Sequence, residues 1–428
     1  MGLVDFSHFP RRSVLCIDVK SFFASVEAVR RGFDPLEAYI AVVSDVRRTG
    51  AIVLASSPRV KQEYNIKTGN RLFEIPKRSP IMVVEPNMAL YINMNQAIQN
   101  IFRRFVTDED LHVYSIDESM LDVTASHNLF GSAEAIAQAI LKTVKDELGL
   151  IVTIGIGDNP LLAKLALDHE AKKRPPWIAK WTYERVPETV WKIQPLTAFW
   201  GISRGYDEKL KRMGIYTIEG LAHANPVWLQ KTLGVMGLQL YYHAWGLDAS
   251  IISQKERSKS KSYSKNQILM RDYYVKSEIL MIIKEMVEDV CTRLRKHQEK
   301  CKEVYLGIGY SDRNFKSGFT ARIKLVRPEH STDIISEAAR QEFIKLWQGE
   351  PVRSINITAG KIVSQGHEQL ELFFEGEEKN HAIDRVVDDL RMRFGKKTIF
   401  YAGSMAGGTF LERADYVGGH KGKSERCL

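Results

Sequence analysis

The chain has 428 residues, 44% of them hydrophobic and 26% charged, with a formal net charge of +9. That length is too great for one ordinary core and predicts roughly two to four globular domains. The basic excess suits a polyanion, either nucleic acid or an anionic membrane surface, although charge alone fits a merely solvated basic surface equally well. Cys16, Cys291, Cys301 and Cys427 show no CxxC spacing and no flanking His pair, so no cysteine zinc site is expected. Few cysteines and no secretory signal point to a reducing cytoplasm. No run approaches the ~18 apolar residues of a membrane span, and the membrane partner loses weight.

Ser13–Val19 is a short run of β-formers and predicts a buried strand. Phe22, Val26, Val29 and Phe33 follow at helical spacing as a one-sided stripe. Ala38–Val43 and Ala51–Ala55 read as strands, and Asn87–Arg104 as a helix. Leu111–Ile116 and Ser119–Val123 flank Asp117 and Glu118 in a hairpin pattern. A helix fits Ser132–Leu148 and a buried strand Leu150–Ile156. Asn159-Pro160 then starts a helix to Lys172, with Pro160 in its first turn. Interleaved strands and helices make this half α/β with a mixed sheet.

Arg174-Pro175-Pro176 breaks the pattern, and Pro187–Gly246 reads as short helices forming a small all-α domain. Ser250–Lys265, rich in Ser and Lys, is the linker candidate. Beyond it the order is strand (Ser262–Leu269), helix (Ser277–His297), strands (Glu303–Tyr310, Gly318–Leu325), helix (Thr332–Trp347) and strand (Val352–Val363). That βαββαβ order is a ferredoxin-like unit with its own core. Arg293, Arg295, Lys296 and Lys300 read as the wet face of its first helix. From Ser364 the chain is a tail with one helical stretch, His381–Phe394, and a Gly-rich end.

Asp18 ends a predicted strand just before a helix, and Asp117-Glu118 sits at a predicted turn. If those strands are neighbours, three carboxylates converge on one sheet edge. Phosphoryl transfer needs that arrangement, because two Mg²⁺ ions ~3.5–4 Å apart stabilise the attacking and leaving oxygens. By spacing alone, ordinary turn and cap chemistry is the stronger reading. Phe23 falls off the apolar stripe beside Glu27 and Arg30, so it is exposed unless it meets a ligand.

The wording around these residues changes the balance. Ile17–Glu27 (IDVKSFFASVE) resembles the first motif of the Y-family (translesion) DNA polymerases, and Tyr114–Ser119 (YSIDES) resembles their second. Val152–Gly157 (VTIGIG), continuing into Ala163-Lys164-Leu165-Ala166, resembles the third. The resemblance covers residues 13 to 375 and is nearest to the bacterial UmuC-like branch.

It implies a multidomain right hand of α/β and α+β parts. The ferredoxin-like palm would be residues 1–23 and 78–184, with small fingers at 24–77. A helical thumb with a helix-hairpin-helix would take 185–250, a linker 251–261, a βαββαβ little finger 262–365 and a C-terminal tail 366–428. By resemblance, Asp18 and Asp117 bridge two Mg²⁺ ions, Glu118 serves the ion that activates the primer 3′-hydroxyl, and the Val19 carbonyl completes the nucleotide-side ion. Phe22 and Phe23 would meet the incoming dNTP, Phe23 as a steric gate against a 2′-hydroxyl. Lys172 matches the family lysine that reaches the phosphates. In the fingers the family tyrosine is absent, and Lys61, with Arg59 second, is expected on the triphosphate.

Gly201, Ser203 and Gly205 resemble a helix-hairpin-helix turn, whose backbone N–H groups approach a phosphate; Ser203 stands where that motif has Gly. Lys259, Lys261 and Lys265 suit a strand laid along a DNA backbone, or else a solvated linker. Gln369, Leu370, Leu372 and Phe373 resemble the peptide that binds the bacterial sliding clamp, the DNA polymerase III β subunit; Leu370, Leu372 and Phe373 are apolar anchors. The implied partners are primed DNA template, dNTP and clamp, with an accessory subunit left open and no membrane, in a cytoplasmic, nucleoid-associated setting. Low-fidelity translesion synthesis in damage tolerance is the implied function. Two rivals stand beside it: a nucleotidyl cyclase-like enzyme, and a catalytically inactive DNA-binding polymerase homologue.

Overall fold

The computed structural model describes residues 6, 9–254, 260–311, 317–364, 377–417 and 419–422. The chain divides into two compact units, residues 1–256 with 422–428 and residues 257–421. The strands are β1 (Val14–Val19), β2 (Ile40–Val43), β3 (Val53–Ser56), β4 (Met82–Val84), β5 (Leu111–Val113), β6 (Glu118–Asp122), β7 (Val152–Gly157) and β8 (Ile178–Trp181) in the first unit. The second holds β9 (Tyr263–Tyr273), β10 (Glu299–Tyr310), β11 (Gly318–Glu329) and β12 (Val352–Ser364), with a short terminal pair, β13 (Tyr416–Val417) and β14 (His420–Lys421).

The first unit is built on a five-stranded sheet of order β5-β6-β1-β7-β8. Its first four members have the ferredoxin-like arrangement, with the opening strand β1 central between β6 and β7. Apolar residues from β1 and β7 meet the Met88–Phe102 and Ala133–Leu148 helices on one face, where Leu15, Ile17, Ile136 and Ile140 are buried. Ser132 caps the second helix by accepting the Ala135 N–H, and Gly149 closes it at φ +64°. On the other face lies the Pro160–Ala166 helix, started by Asn159 and Pro160 as the sequence indicates. It lies directly on β7. A Cβ on Gly155 or Gly157 would fall 2.0 Å from the Ala163 carbonyl oxygen or 2.2 Å from its nitrogen, so only glycine permits that approach.

The helical segment after residue 185 packs on the Pro160–Ala166 helix. Val186, Val190, Leu196, Phe199 and Leu210 share one core with Leu161, Leu162 and Leu165 of that helix. Periodicity reports that a face is apolar, not which neighbour covers it. The stripe ending in Phe33 is also shorter than its spacing suggests. The helix stops at Arg30, and Phe33 is 48% exposed. The linker starts later than expected, since Ile252 is still buried in the first unit. A separate three-stranded sheet, β3-β2-β4, carries residues 40–84.

The second unit follows the expected βαββαβ order, with the Lys276–Lys296 and Thr332–Leu346 helices on one face. Its sheet order, β11-β10-β12-β9, differs from the ferredoxin-like one: β10 and β12 are central and the opening strand β9 is an edge. Each crossover skips one strand in either arrangement, so element order alone does not choose between them.

The described part of the C-terminal segment packs against the second unit. Arg295 is buried, with Nε 2.6 Å from Asp388 and Nη1 3.2 Å from Asp384 of the Glu377–Phe394 helix. The Thr409 N–H donates to Glu285 at 2.8 Å. The wet-face reading of Arg295 is therefore corrected.

Candidate active site

Register pairs Asp18 on β1 with Glu118 on β6, and the Val19 N–H donates to the Asp117 carbonyl at 2.9 Å. Asp18 and Asp117 thus lie at one end of the sheet, with Glu118 beside Asp18 in register. Asp18, Val19, Asp117 and Thr153 line a cavity of about 570 Å³. Lys20, Ser21, Lys61 and Lys172 also line it, and Phe22 and Phe23 complete the wall. Ser115 Oγ donates to Asp117 Oδ1 at 2.6 Å and accepts the Glu118 N–H at 3.1 Å, which fixes the turn.

Glu118 lies behind the cavity wall. It is buried, its Oε2 is 2.7 Å from Lys164 Nζ, and Cys16 Sγ donates to its Oε1 at 3.3 Å. Lys164 in turn lies 3.1 Å from Asp168, Asp168 lies 2.9 Å from Lys172, and Lys172 lies 3.1 Å from Asp18. The result is an alternating chain of charge, Glu118–Lys164–Asp168–Lys172–Asp18. Lys164, Asp168 and Lys172 are spaced by four along one helical run that changes from α to a π turn at Leu167–Ala171. Such turns are frequent at functional sites. Here the wider turn keeps the third member of the series facing the strand end.

Burial raises the Asp18 carboxyl to about 6; Lys172 opposes the rise, and Asp117 and Glu118 add to it. The same neighbouring negative charge that favours a proton on Asp18 also favours a divalent cation there. The donor set is all oxygen, which fits magnesium rather than a softer ion. Burial works against the charge of Lys164, but its bond to Glu118 and the field of Asp168 outweigh it, and its pKa is raised. Lys61 and Lys20 are lowered, both mainly by burial, and Lys20 also by the Lys61 charge. Cations held at that cost on one wall suit an anionic ligand.

The face that carries Phe23 is not a wet one. Glu27 is 1% exposed, ion-paired to Arg31, and accepts the Tyr91 hydroxyl at 2.9 Å. The Tyr91 ring stacks beneath Phe23, centroids 4.3 Å apart and planes 13° from parallel. Phe23 therefore lines the cavity as a supported ring, while Phe22 is almost wholly core. Ser21, before the helix, has φ +53° and accepts Lys61 Nζ on its hydroxyl at 2.8 Å.

Arg59 is not brought to the cavity. It points the other way, to Glu37 at 2.9 Å and Glu63 at 2.7 Å, because it lies on the outer side of the short Pro58–Tyr64 helix. Gly201, Ser203 and Gly205 are exposed, with Gly201 at φ +95° and Ser203 just before the Arg204–Arg212 helix. The element before them is a single 3₁₀ turn, Leu196–Ala198, not a full helix. Lys261 pairs with Glu299 at 2.9 Å and Lys265 pairs with Asp289, so neither stands free. Lys259, Gln369, Leu370, Leu372 and Phe373 lie outside the described residues.

Sequence reasoning missed Lys20, Tyr91, Ser115, Lys164 and Asp168. The i, i+4, i+8 run of Lys164, Asp168 and Lys172 was a usable signal. Tyr91 left none, since it arrives from a distant helix.

Residues 17–168 match the model described as the impB/mucB/samB family, and residues 260–372 match that family's C-terminal domain. The chain is 43% identical to a Bacillus subtilis (strain 168) protein, UvrX, provisionally named for UV-damage repair, over 98% of this chain and 100% of that one. It is 33% identical to DNA polymerase IV 2 of the same bacterium, over 95% of this chain and 98% of that one. Likeness to DNA polymerase IV 2 of Halalkalibacterium halodurans is 30%, with the same coverage of 95% and 98%. A solved Y-family DNA polymerase chimera of Dbh and Dpo4 superposes with a TM-score of 0.66 at 19% identity, over 82% of this chain and 99% of that one, which shows a shared fold.

Proposed function

The chain belongs to the impB/mucB/samB family, the Y-family DNA polymerases, and we propose that it adds dNTPs to the 3′-hydroxyl of a primed DNA template in low-fidelity translesion repair synthesis. The observation that carries this reading is a cavity of about 570 Å³ lined by Asp18 and Asp117 together with Lys20, Lys61 and Lys172. A triphosphate needs cations on one side and metal-ligating oxygens at its reacting phosphorus on the other. Asp18, Asp117, Glu118 and the Val19 carbonyl would hold two Mg²⁺ ions, which supply charge stabilisation at the attacking and leaving oxygens.

The chain's own groups have separable tasks. Lys61, Lys172 and Lys20 bind the triphosphate. Phe23, backed by Tyr91, forms the floor under the sugar and leaves no room for a 2′-hydroxyl. Lys164 and Ser115 hold Glu118 and Asp117 in place, the first by an ion pair and the second by a hydrogen bond. Arg59 has no part in this site.

In the same reading the first unit supplies palm, fingers and thumb, and the second supplies the little finger. The Gly201–Gly205 turn and the Lys259, Lys261 and Lys265 side chains hold DNA by its phosphates. Gln369, Leu370, Leu372 and Phe373 bind the sliding clamp; alanine at Leu372 and Phe373 is expected to weaken clamp binding and leave distributive synthesis intact. Primer extension with Mg²⁺ on intact and abasic templates tests the reading. Extension on both is expected. DNA binding with no extension on either template would replace the enzyme with an inactive DNA-binding homologue, and turnover of free nucleotides alone would replace it with a cyclase-like one.

A further inference from the structure

The second unit contains a group of metal-ligating side chains unrelated to the carboxylates of the first. Glu329 ends β11, His330 follows it, and His381 lies on the Glu377–Phe394 helix. One ligating atom from each of the three lies within 4.8 Å of the others. Glu329 and His330 are buried, and His381 is nearly so. The ring centroids of His330 and His381 are 4.7 Å apart.

Several details favour a cation over simple packing. Glu329 Oε1 accepts the backbone N–H groups of His330 at 2.7 Å and Ser331 at 2.8 Å, which fixes the carboxylate as outer-shell donors fix a metal ligand. Nε2 of His381 lies 3.3 Å from that same oxygen. Nδ1 of His330 is buried and has no hydrogen-bond partner among the described residues. A buried polar atom left so is unfavourable, and ligation of the ring satisfies it. Of the nearby cations, Arg295 is paired with Asp384 and Asp388, and Arg327 Nε lies 3.9 Å from the other carboxylate oxygen of Glu329. Two imidazoles and one carboxylate form a ligand set for a borderline transition dication, unlike the all-oxygen set of Asp18, Asp117 and Glu118. Ligands ~2.1 Å from one tetrahedral ion stand ~3.4 Å apart, so side-chain shifts of about 1 Å close the site.

We propose that Glu329, His330 and His381 bind one transition-metal dication of the zinc class, which pins the C-terminal helix to the end of β11. Nothing local in the sequence marks it, because the usual signature is paired cysteines and His381 lies 51 positions after His330. The site is independent of the polymerase reading and survives its failure.

The test uses the full chain carrying Asp117→Ala, to weaken metal binding at the first-unit carboxylates, after removal of metal with a chelator. Titration with zinc chloride should then show one bound ion per chain. His381→Ala and His381→Gln, added separately, should each weaken that binding at least ~100-fold. Gln retains a hydrogen bond to Glu329, so loss of zinc in both variants separates ligation from a hydrogen-bonded latch. Cobalt(II) should give visible ligand-field bands in the parent that vanish in both variants. Zinc should raise the melting temperature of the parent and not of either variant. Equal zinc stoichiometry and affinity in parent and variants, or no zinc in the parent, would overturn the proposal and leave a hydrogen-bonded His–Glu–His contact.

Discussion

Two sheets in this molecule follow the same βαββαβ order and place their opening strands differently. In the first unit β1 is central, with β6 on one side and β7 on the other. In the second, β9 is an edge strand paired with β12 alone. A carboxylate at the end of a central opening strand has a hairpin beside it, and Asp18 meets Asp117 and Glu118 there. An acid near the end of an edge strand has only one neighbour. Asp272 of β9 meets Arg353 at 3.3 Å, an ordinary ion pair. The shared order builds a core in both units, and the strand order decides which of them can gather charge for catalysis.

The sharpest way to break this comparison inside the first unit is to loosen the carboxylates without removing one. Lys164→Met leaves Glu118 buried without its partner. Nucleotide incorporation should fall on the order of 100-fold with little change in the KM for dNTP. An unchanged rate would mean that the Glu118–Lys164–Asp168–Lys172–Asp18 chain is only packing. Phe23→Ala should lower discrimination against ribonucleotides by roughly tenfold or more while dNTP incorporation persists. Sugar selectivity equal to wild type would remove Phe23 from the floor of the site.

The Asp18 carboxyl gives a pH test with a definite sign. Its pKa is raised by burial from 3.8 to about 6 in the folded, metal-free protein. Between those values the folded chain holds a proton that the unfolded chain releases. Stability without metal should therefore fall as pH rises from about 4 to 6, by at most about 3 kcal/mol, and level off above. Magnesium needs the ionised form, so its stabilising effect should be small at pH 5 and large at pH 7.5. Melting temperatures with Mg²⁺ or with chelator, at both pH values, check this; an equal magnesium effect at the two would contradict it.

The smallest expected effect lies in the second unit. Lys261 and Lys265, each paired with an acid, should contribute little individually. Replacing both with Gln should weaken DNA binding a few-fold, uniformly across sequences, and reduce the salt slope by about 2 at most. A loss confined to some sequences would indicate base readout instead.

Much of this was legible in sequence for physical reasons that also mark where legibility stops. Strong periodicity located the longer strands and the long helices, while the short β4 and β8 and the terminal pair β13 and β14 were not read. Phe23 was found as an aromatic off the apolar stripe, beside Glu27, which the sequence leaves on a polar face but the fold buries. Glu27 is buried by Arg31 and by Tyr91, and Tyr91 comes from 64 residues away. Arg295 was misread for the same reason, since its acid Asp388 is 93 residues on. Arg59 and Lys61 are two positions apart on one short helix, and only the direction of each side chain separates the one on Glu37 from the one on Ser21. Local pattern gives faces and ends; partners distant in sequence decide what those faces meet.

The most direct measurement is single-nucleotide incorporation by Asp117→Ala and wild type on one primed template with Mg²⁺, with DNA affinity measured for both. The account predicts a loss on the order of 10³-fold or more in rate with DNA affinity preserved. Incorporation by Asp117→Ala near the wild-type rate would contradict it, because the carboxylates at the end of β1 and in the β5–β6 hairpin would then not be the catalytic centre.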